Sequence, residues 1–123
     1  MLLDNLKFTK DHEWIKIDTD KITLGITDYA QGELGDIIFI ELPKIGEKFN
    51  KGDTIGAIEA VKTVADIYIP IDGEILDINS DIKDSPELVN SNPFDKGWLV
   101  KLKAENFSNS NLLTKEEYLA LIS

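Results

Sequence analysis

GDTIGAIEAVKTVADIYIPIDG, residues 52–73, reads as two β-strands that fold back on each other, with Val61 and Lys62 at the bend. Ile55, Ala57, Ile58 and Ala60 are the apolar residues of the first arm. On the second arm Ala65, Ile67, Ile69 and Ile71 recur at every second position, the period of a strand with one buried face. Gly52 and Gly73 bracket the pair as turn residues. A lysine at the tip of a two-stranded support is a mounting point for a covalently attached group. Most surface lysines only solvate a fold, and this chain has thirteen cations, all of them lysine. What singles out Lys62 is its setting: a tip without Gly or Asn, Glu59 three residues before it, and small or apolar residues on both sides.

Composition narrows the function classes. A chain of 123 residues is one domain, spanning 1–123. Its net charge is −10 and it has no arginine. Nucleic-acid binding is therefore disfavoured, because phosphate contacts need basic surface and guanine readout leans on arginine. An acidic surface suits solubility and steered encounters with basic patches on other proteins. Without cysteine the chain makes no disulfide and offers no thiol, so any dithiol chemistry must come from an attached cofactor. The N-terminus, MLLDNLKFTKDHEW, lacks both a secretory apolar core and a transit-peptide pattern. No apolar run approaches the roughly 20 residues that a membrane span needs. A soluble protein of the cytoplasm, already in its working form, is the expectation.

Trp14–Ile17 and Ile22–Ile26 alternate around the turn Asp18-Thr19-Asp20 and predict an N-terminal hairpin. Thr27 is placed to cap a short helix through Leu34, with Asp28 near its positive end and Gly35 as its stop. Ile37–Ile40 is apolar at every position, the pattern of a strand buried on both faces, and Pro43 ends it. Glu74–Ile78 is a further strand. Ser85-Pro86-Glu87 has the grammar of a capped helix start, and Asn90–Pro93 breaks that helix. Trp98–Lys103 should be the last strand, followed by a polar loop over Asn106–Asn111. Thr114 and Glu117 stand at capping-box spacing and open a terminal helix that presents Tyr118, Leu121 and Ile122. Trp14, Phe39 and Trp98 read as core; Gly25, Gly35 and Gly97 read as backbone necessities at turns and helix ends. The elements add up to a mostly β protein, a sandwich or small barrel with short helices.

The motifs sharpen this. Glu59-Ala60-Val61-Lys62 resembles the Glu-Ser-Val-Lys-Ala pattern of the glycine cleavage system H proteins. His12-Glu13-Trp14, Gly25–Asp28 with Ala30-Gln31, and Leu34-Gly35-Asp36 keep the same family's order and spacing. So do Glu41-Leu42-Pro43, Pro86–Asn90, Pro93-Phe94 and Gly97-Trp98. The match runs from about residue 8 to 103; Ala60 stands for the usual serine and Thr63 for the usual alanine. The resemblance implies a barrel-sandwich hybrid like the lipoyl and biotinyl carriers, with short flanking helices and N- and C-terminal extensions that include a C-terminal helix.

It also implies a cofactor and partners. Lipoate would be attached to Lys62 by a lipoate ligase or lipoyltransferase, through an amide that leaves the position uncharged. Its disulfide would take an aminomethyl group from glycine decarboxylase, a pyridoxal-phosphate enzyme, and deliver it to the tetrahydrofolate-dependent aminomethyltransferase. Dihydrolipoamide dehydrogenase would then reoxidise the arm, so the chain itself is a carrier and not an enzyme. By the same resemblance Glu59 serves ligase recognition, while Glu13 and Asp66 belong to the cleft that shelters the arm. Each has a plainer reading, as a solvated acid on a strand or at a strand end. Glu13 has a further motive: a protonated aminomethyl group is a cation, and excluding water would prolong its life.

Other functions are poorer fits. Biotin sites read Met-Lys-Met, and dehydrogenase lipoyl domains read Asp-Lys-Ala followed by linkers that are missing here. An enzyme would need a nucleophile or acid–base pair, and there is one histidine, no cysteine and no Gly-x-Ser-x-Gly elbow. Asp11-His12-Glu13 has no second cluster at ligand spacing, so a metal site is a weak reading and His12 reads as structural. A lipoyl-relay protein, or an unmodified interaction protein of the same fold, is the alternative that the sequence leaves open.

Overall fold

The computed structural model describes residues 6–104 and 112–123; the polar loop expected over Asn106–Asn111 lies outside them. Two antiparallel sheets enclose the core. The larger has six strands in the order β1 (Leu6–Phe8), β2 (Glu13–Asp18), β3 (Lys21–Ile26), β9 (Val100–Ala104), β8 (Gly73–Ile78), β5 (Lys48–Phe49). The smaller is β4 (Ile37–Glu41), β6 (Thr54–Ala60), β7 (Val64–Tyr68). Ile15, Ile22 and Leu24 from the first sheet pack with Ile40, Ile58 and Ile67 from the second in one buried cluster. Their burial removes apolar surface from water and is the main force that closes the sandwich. The mostly β, barrel-sandwich class expected from the sequence is the class the structure has.

The helices are short: α1 (Asp28–Leu34), α2 (Asp81–Asp84), α3 (Glu87–Ser91) and α4 (Lys115–Ile122). Thr27 caps α1 by accepting the N–H of Ala30, and Gly35 ends it at φ +78° with its N–H on the carbonyl of Gln31. Thr114 and Glu117 form the reciprocal capping box of α4. Tyr118 faces inward from that helix and joins Leu6, Phe8 and Trp14 in a second, smaller core. No helix among the described residues is long and apolar enough to cross a membrane.

Five expectations need correction. Phe39 is 55 % exposed, not core, and Ile38 beside it is exposed too. β4 carries an extra residue between its partners Ile37↔Ala60 and Phe39↔Glu59, and this bulge breaks the alternation, so only Ile37 and Ile40 turn inward. Trp98 is half-buried, precedes the last strand and lies under the Lys101 ammonium, 4.9 Å from its ring centroid. Ser85 does not cap α3, which begins after a helical Pro86 without a side-chain bond; the turn is preceded by α2, which the sequence did not announce. Leu121 is exposed, because the inward face of α4 runs from Tyr118 to the half-buried Ile122. Gly25 sits inside β3 and not at a turn, opposite Trp14, whose ring leaves no room for a Cβ.

Candidate functional site

The bend at residues 61–63 joins β6 to β7, whose register pairs Glu59 with Val64, Ile58 with Ala65 and Ala57 with Asp66. The N–H of Ala60 donates to the carbonyl of Thr63 at 2.8 Å and closes the turn. Val61, 67 % exposed, donates its own N–H to the carbonyl of Asp36 at 3.0 Å, so the bend leans on the segment that leads into β4. Asn90 holds that segment from α3. Its Oδ1 accepts the N–H of Ile37 (3.0 Å), and its Nδ2 donates to the carbonyl of Gly35 and to Gln31 Oε1 (2.9 Å each). Lys62 is exposed at the tip, and its amine forms no hydrogen bond or ion pair with any described residue.

A cleft of about 710 Å³ opens beside this hairpin. Val64, Ala65, Asp66 and Tyr68 of β7 form one wall; Tyr29, Ala30, Glu33 and Leu34 of α1 form the other. Ile26, Ile58 and Ile67 make its floor apolar, and Asp11, His12 and Glu13 close its far end. A second hollow of about 450 Å³ continues past Glu13 and Tyr68 toward Lys51 and Pro70.

Glu13 is the cleft's buried acid, only 4 % exposed. Thr9 Oγ1 donates to its Oε1 at 3.2 Å and accepts its backbone N–H, also at 3.2 Å. Burial pushes its carboxyl up to about 8, Asp11 adds to the rise, and the Thr9 and Tyr68 hydrogen bonds only partly oppose it. At neutral pH Glu13 is therefore mostly protonated, so it is not the standing carboxylate that the sequence suggested as a cation holder.

Glu13 and Asp66 thus line one cleft, with Lys62 two residues before its wall at Val64. Glu59 stands apart from the cleft lining, exposed on the outer face of the small sheet between Phe39 and Val64. His12 is bonded through Nδ1 to the hydroxyl of Tyr118 at 3.0 Å. Among the described residues no group of three or more His, Cys, Asp or Glu is placed to hold a metal. Sequence reasoning missed Tyr29, Glu33 and Thr9 at the cleft and Asn90 beneath the bend. Of these only Thr9 carried a local signal, a hydroxyl four residues before the acid it serves.

Comparison with known proteins gives a consistent answer. The family model described as "Glycine cleavage H-protein" matches residues 6–123. The glycine cleavage system H protein of Staphylococcus saprophyticus is 47 % identical over 118 residues, covering 95 % of this chain and 94 % of that one. Its counterpart in Staphylococcus haemolyticus is 46 % identical over 118 residues, with the same coverage. The crystal structure of a glycine cleavage system H protein from Mycobacterium marinum superposes with a TM-score of 0.89 at 33 % identity, covering 95 % of both chains. With its two sheets, its exposed hairpin lysine and its adjoining cleft, the chain belongs to the glycine cleavage H-protein family, a carrier component of that system and not one of its catalysts.

Proposed function

We propose that Lys62 is the lipoyl attachment residue, and that the chain ferries a one-carbon unit between the enzymes of glycine cleavage in the cytoplasm. The observation that carries this reading is the free, exposed amine of Lys62 on a bend braced at Val61, next to a cleft of about 710 Å³. The residues present fit the group: the cleft has an apolar floor for a hydrocarbon arm and polar groups at its far end. When bound, lipoate would supply a disulfide that accepts the one-carbon unit on one sulfur, leaves a dithiol once that unit is handed on, and is closed again by reoxidation.

The chain's own residues have three tasks. The braced bend offers the Lys62 amine to a lipoate ligase or lipoyltransferase, and Glu59, exposed three residues away, marks the site for that enzyme. Ile26, Ile58 and Ala65 give the arm an apolar bed that keeps water off its end. Glu13 manages a proton. An amine brought beside its carboxyl can take the proton that burial leaves there, producing an ammonium–carboxylate pair where two neutral groups entered. Asp66, exposed on the same cleft wall, adds negative charge along the approach. The partners on this reading are glycine decarboxylase, the aminomethyltransferase and dihydrolipoamide dehydrogenase.

Glycine–bicarbonate exchange with the decarboxylase tests the role. The lipoylated chain should support exchange, and Lys62→Arg treated alike should not, because its guanidinium is effectively never deprotonated for acylation. A lipoylated chain that supports no exchange would instead be a relay.

A further inference from the structure

One wall of the cleft and its far end come from separate parts of the chain and meet at a single oxygen. Tyr118 reaches in from α4 with its ring stacked on Phe8, centroids 4.7 Å apart and planes 9° from parallel. Its hydroxyl lies 2.6 Å from Thr27 Oγ1 and 3.0 Å from His12 Nδ1. Thr27 is the N-cap of α1, the helix that supplies Tyr29, Ala30, Glu33 and Leu34 to the cleft. His12 lines the same cleft, precedes Glu13 and packs its ring against Tyr29 at 4.8 Å between centroids. Thr27 Oγ1 also accepts the Ala30 N–H at 3.2 Å, so the Tyr118 hydroxyl joins the cap of α1 to the His12 ring.

We propose that Tyr118 is a positioning residue of the cleft, its hydroxyl tying His12, the residue before Glu13 at the head of β2, to the start of α1. His12 sits at φ +66°, a left-handed conformation that a residue with a Cβ keeps only when its surroundings hold it. The backbone is held by the His12 N–H on the Thr9 carbonyl at 3.2 Å and the Thr27 N–H on the His12 carbonyl at 3.0 Å, and the bond to Tyr118 adds the restraint on the ring. The ring of Tyr118 is accounted for by Phe8 and the small core, so the hydroxyl has a role separable from packing. Without the hydroxyl the His12 ring is released while the backbone bond from Thr27 to His12 stays, and water reaches Glu13 past the freed ring. The consequence for the carrier rests on reading the cleft as the arm's shelter; the geometry does not.

The test uses the full lipoylated chain as Tyr118→Phe, His12→Ala and His12→Asn. Asparagine tolerates positive φ and sets an oxygen close to where Nδ1 stands, so it should restore the bond. NMR titration of the Glu13 carboxyl is read first. Its midpoint should fall by about one unit or more in Tyr118→Phe and His12→Ala, as water replaces buried surroundings, and stay near wild type in His12→Asn. The lifetime of the one-carbon-loaded form is read second. It should shorten roughly threefold to tenfold in the first two variants, the factor that one hydrogen bond carries. If Tyr118→Phe does not fold, the two His12 variants make the same comparison. An unchanged Glu13 midpoint in the variants lacking the bond overturns the inference. A lowered midpoint with an unchanged lifetime upholds it and overturns the shelter reading instead.

Discussion

The backbone N–H of Val61 donates to the carbonyl oxygen of Asp36 at 3.0 Å, so the bend that bears Lys62 is fastened to a segment 25 residues earlier in the chain. A two-stranded hairpin alone is marginal in water, and its tip would wander. Here the tip is tied to residues 35–37, which Asn90 grips through the carbonyl of Gly35 and the N–H of Ile37.

Asn90→Ala removes both bonds of that grip and a third to Gln31 Oε1. It should lower stability by roughly 1–3 kcal/mol, because the N–H of Ile37 and the carbonyl of Gly35 are left without this partner. It should also raise the ligase KM for the unmodified chain, since the amine is no longer presented in one place. Urea denaturation and initial rates of lipoylation measure the two effects. A stability loss with an unchanged KM would mean that the bend holds itself.

Glu13 makes stability depend on pH in an unusual direction. Its carboxyl is raised from 4.5 to about 8 by burial, so between those values the folded chain holds a proton that the unfolded chain has lost. Stability must therefore fall as pH rises through that window, and level off above it. Glu13→Gln lacks this slope. The difference in unfolding free energy, wild type minus variant, should drop by a few kcal/mol, order of magnitude, from pH 4.5 to pH 8. Parallel pH profiles would show that Glu13 is solvated.

Gly25→Ala should destabilise through contact and not through backbone freedom. The new Cβ would overlap the Trp14 ring, while Trp14 is fixed by its Nε1–H bond to the carbonyl of Pro93 at 2.8 Å. The expected loss is about 1–3 kcal/mol. In a Trp14→Phe background the same change should cost less, because the two sites are in contact and couple. Equal losses in both backgrounds would rule out the ring as the cause.

Much of this molecule was legible because its rules are local. Thr27 and Thr114 announce their helices by a hydroxyl at the cap, Gly35 announces an end, and the alternation through Ile67, Ile69 and Ile71 announces one buried face. Phe39 was misread because one extra residue in β4 shifts every later side chain to the other face, and no composition marks a bulge in an all-apolar run. The site was half legible. Lys62, Glu59 and Glu13 stand in recognisable motifs, yet the raised carboxyl of Glu13 depends on its burial and on Thr9, Asp11 and Tyr68 around it. The bond from Tyr118 to His12 spans 106 positions, and nothing near either residue foretells it.

Intact mass of the full chain after reaction with a lipoate ligase, ATP and lipoate tests the central claim most directly. The account predicts a single lipoyl increment on the wild-type chain, mapped to Lys62 by peptide fragmentation and absent from Lys62→Arg. An unmodified wild-type chain, or a lipoyl group found on any of the other lysines, would contradict it.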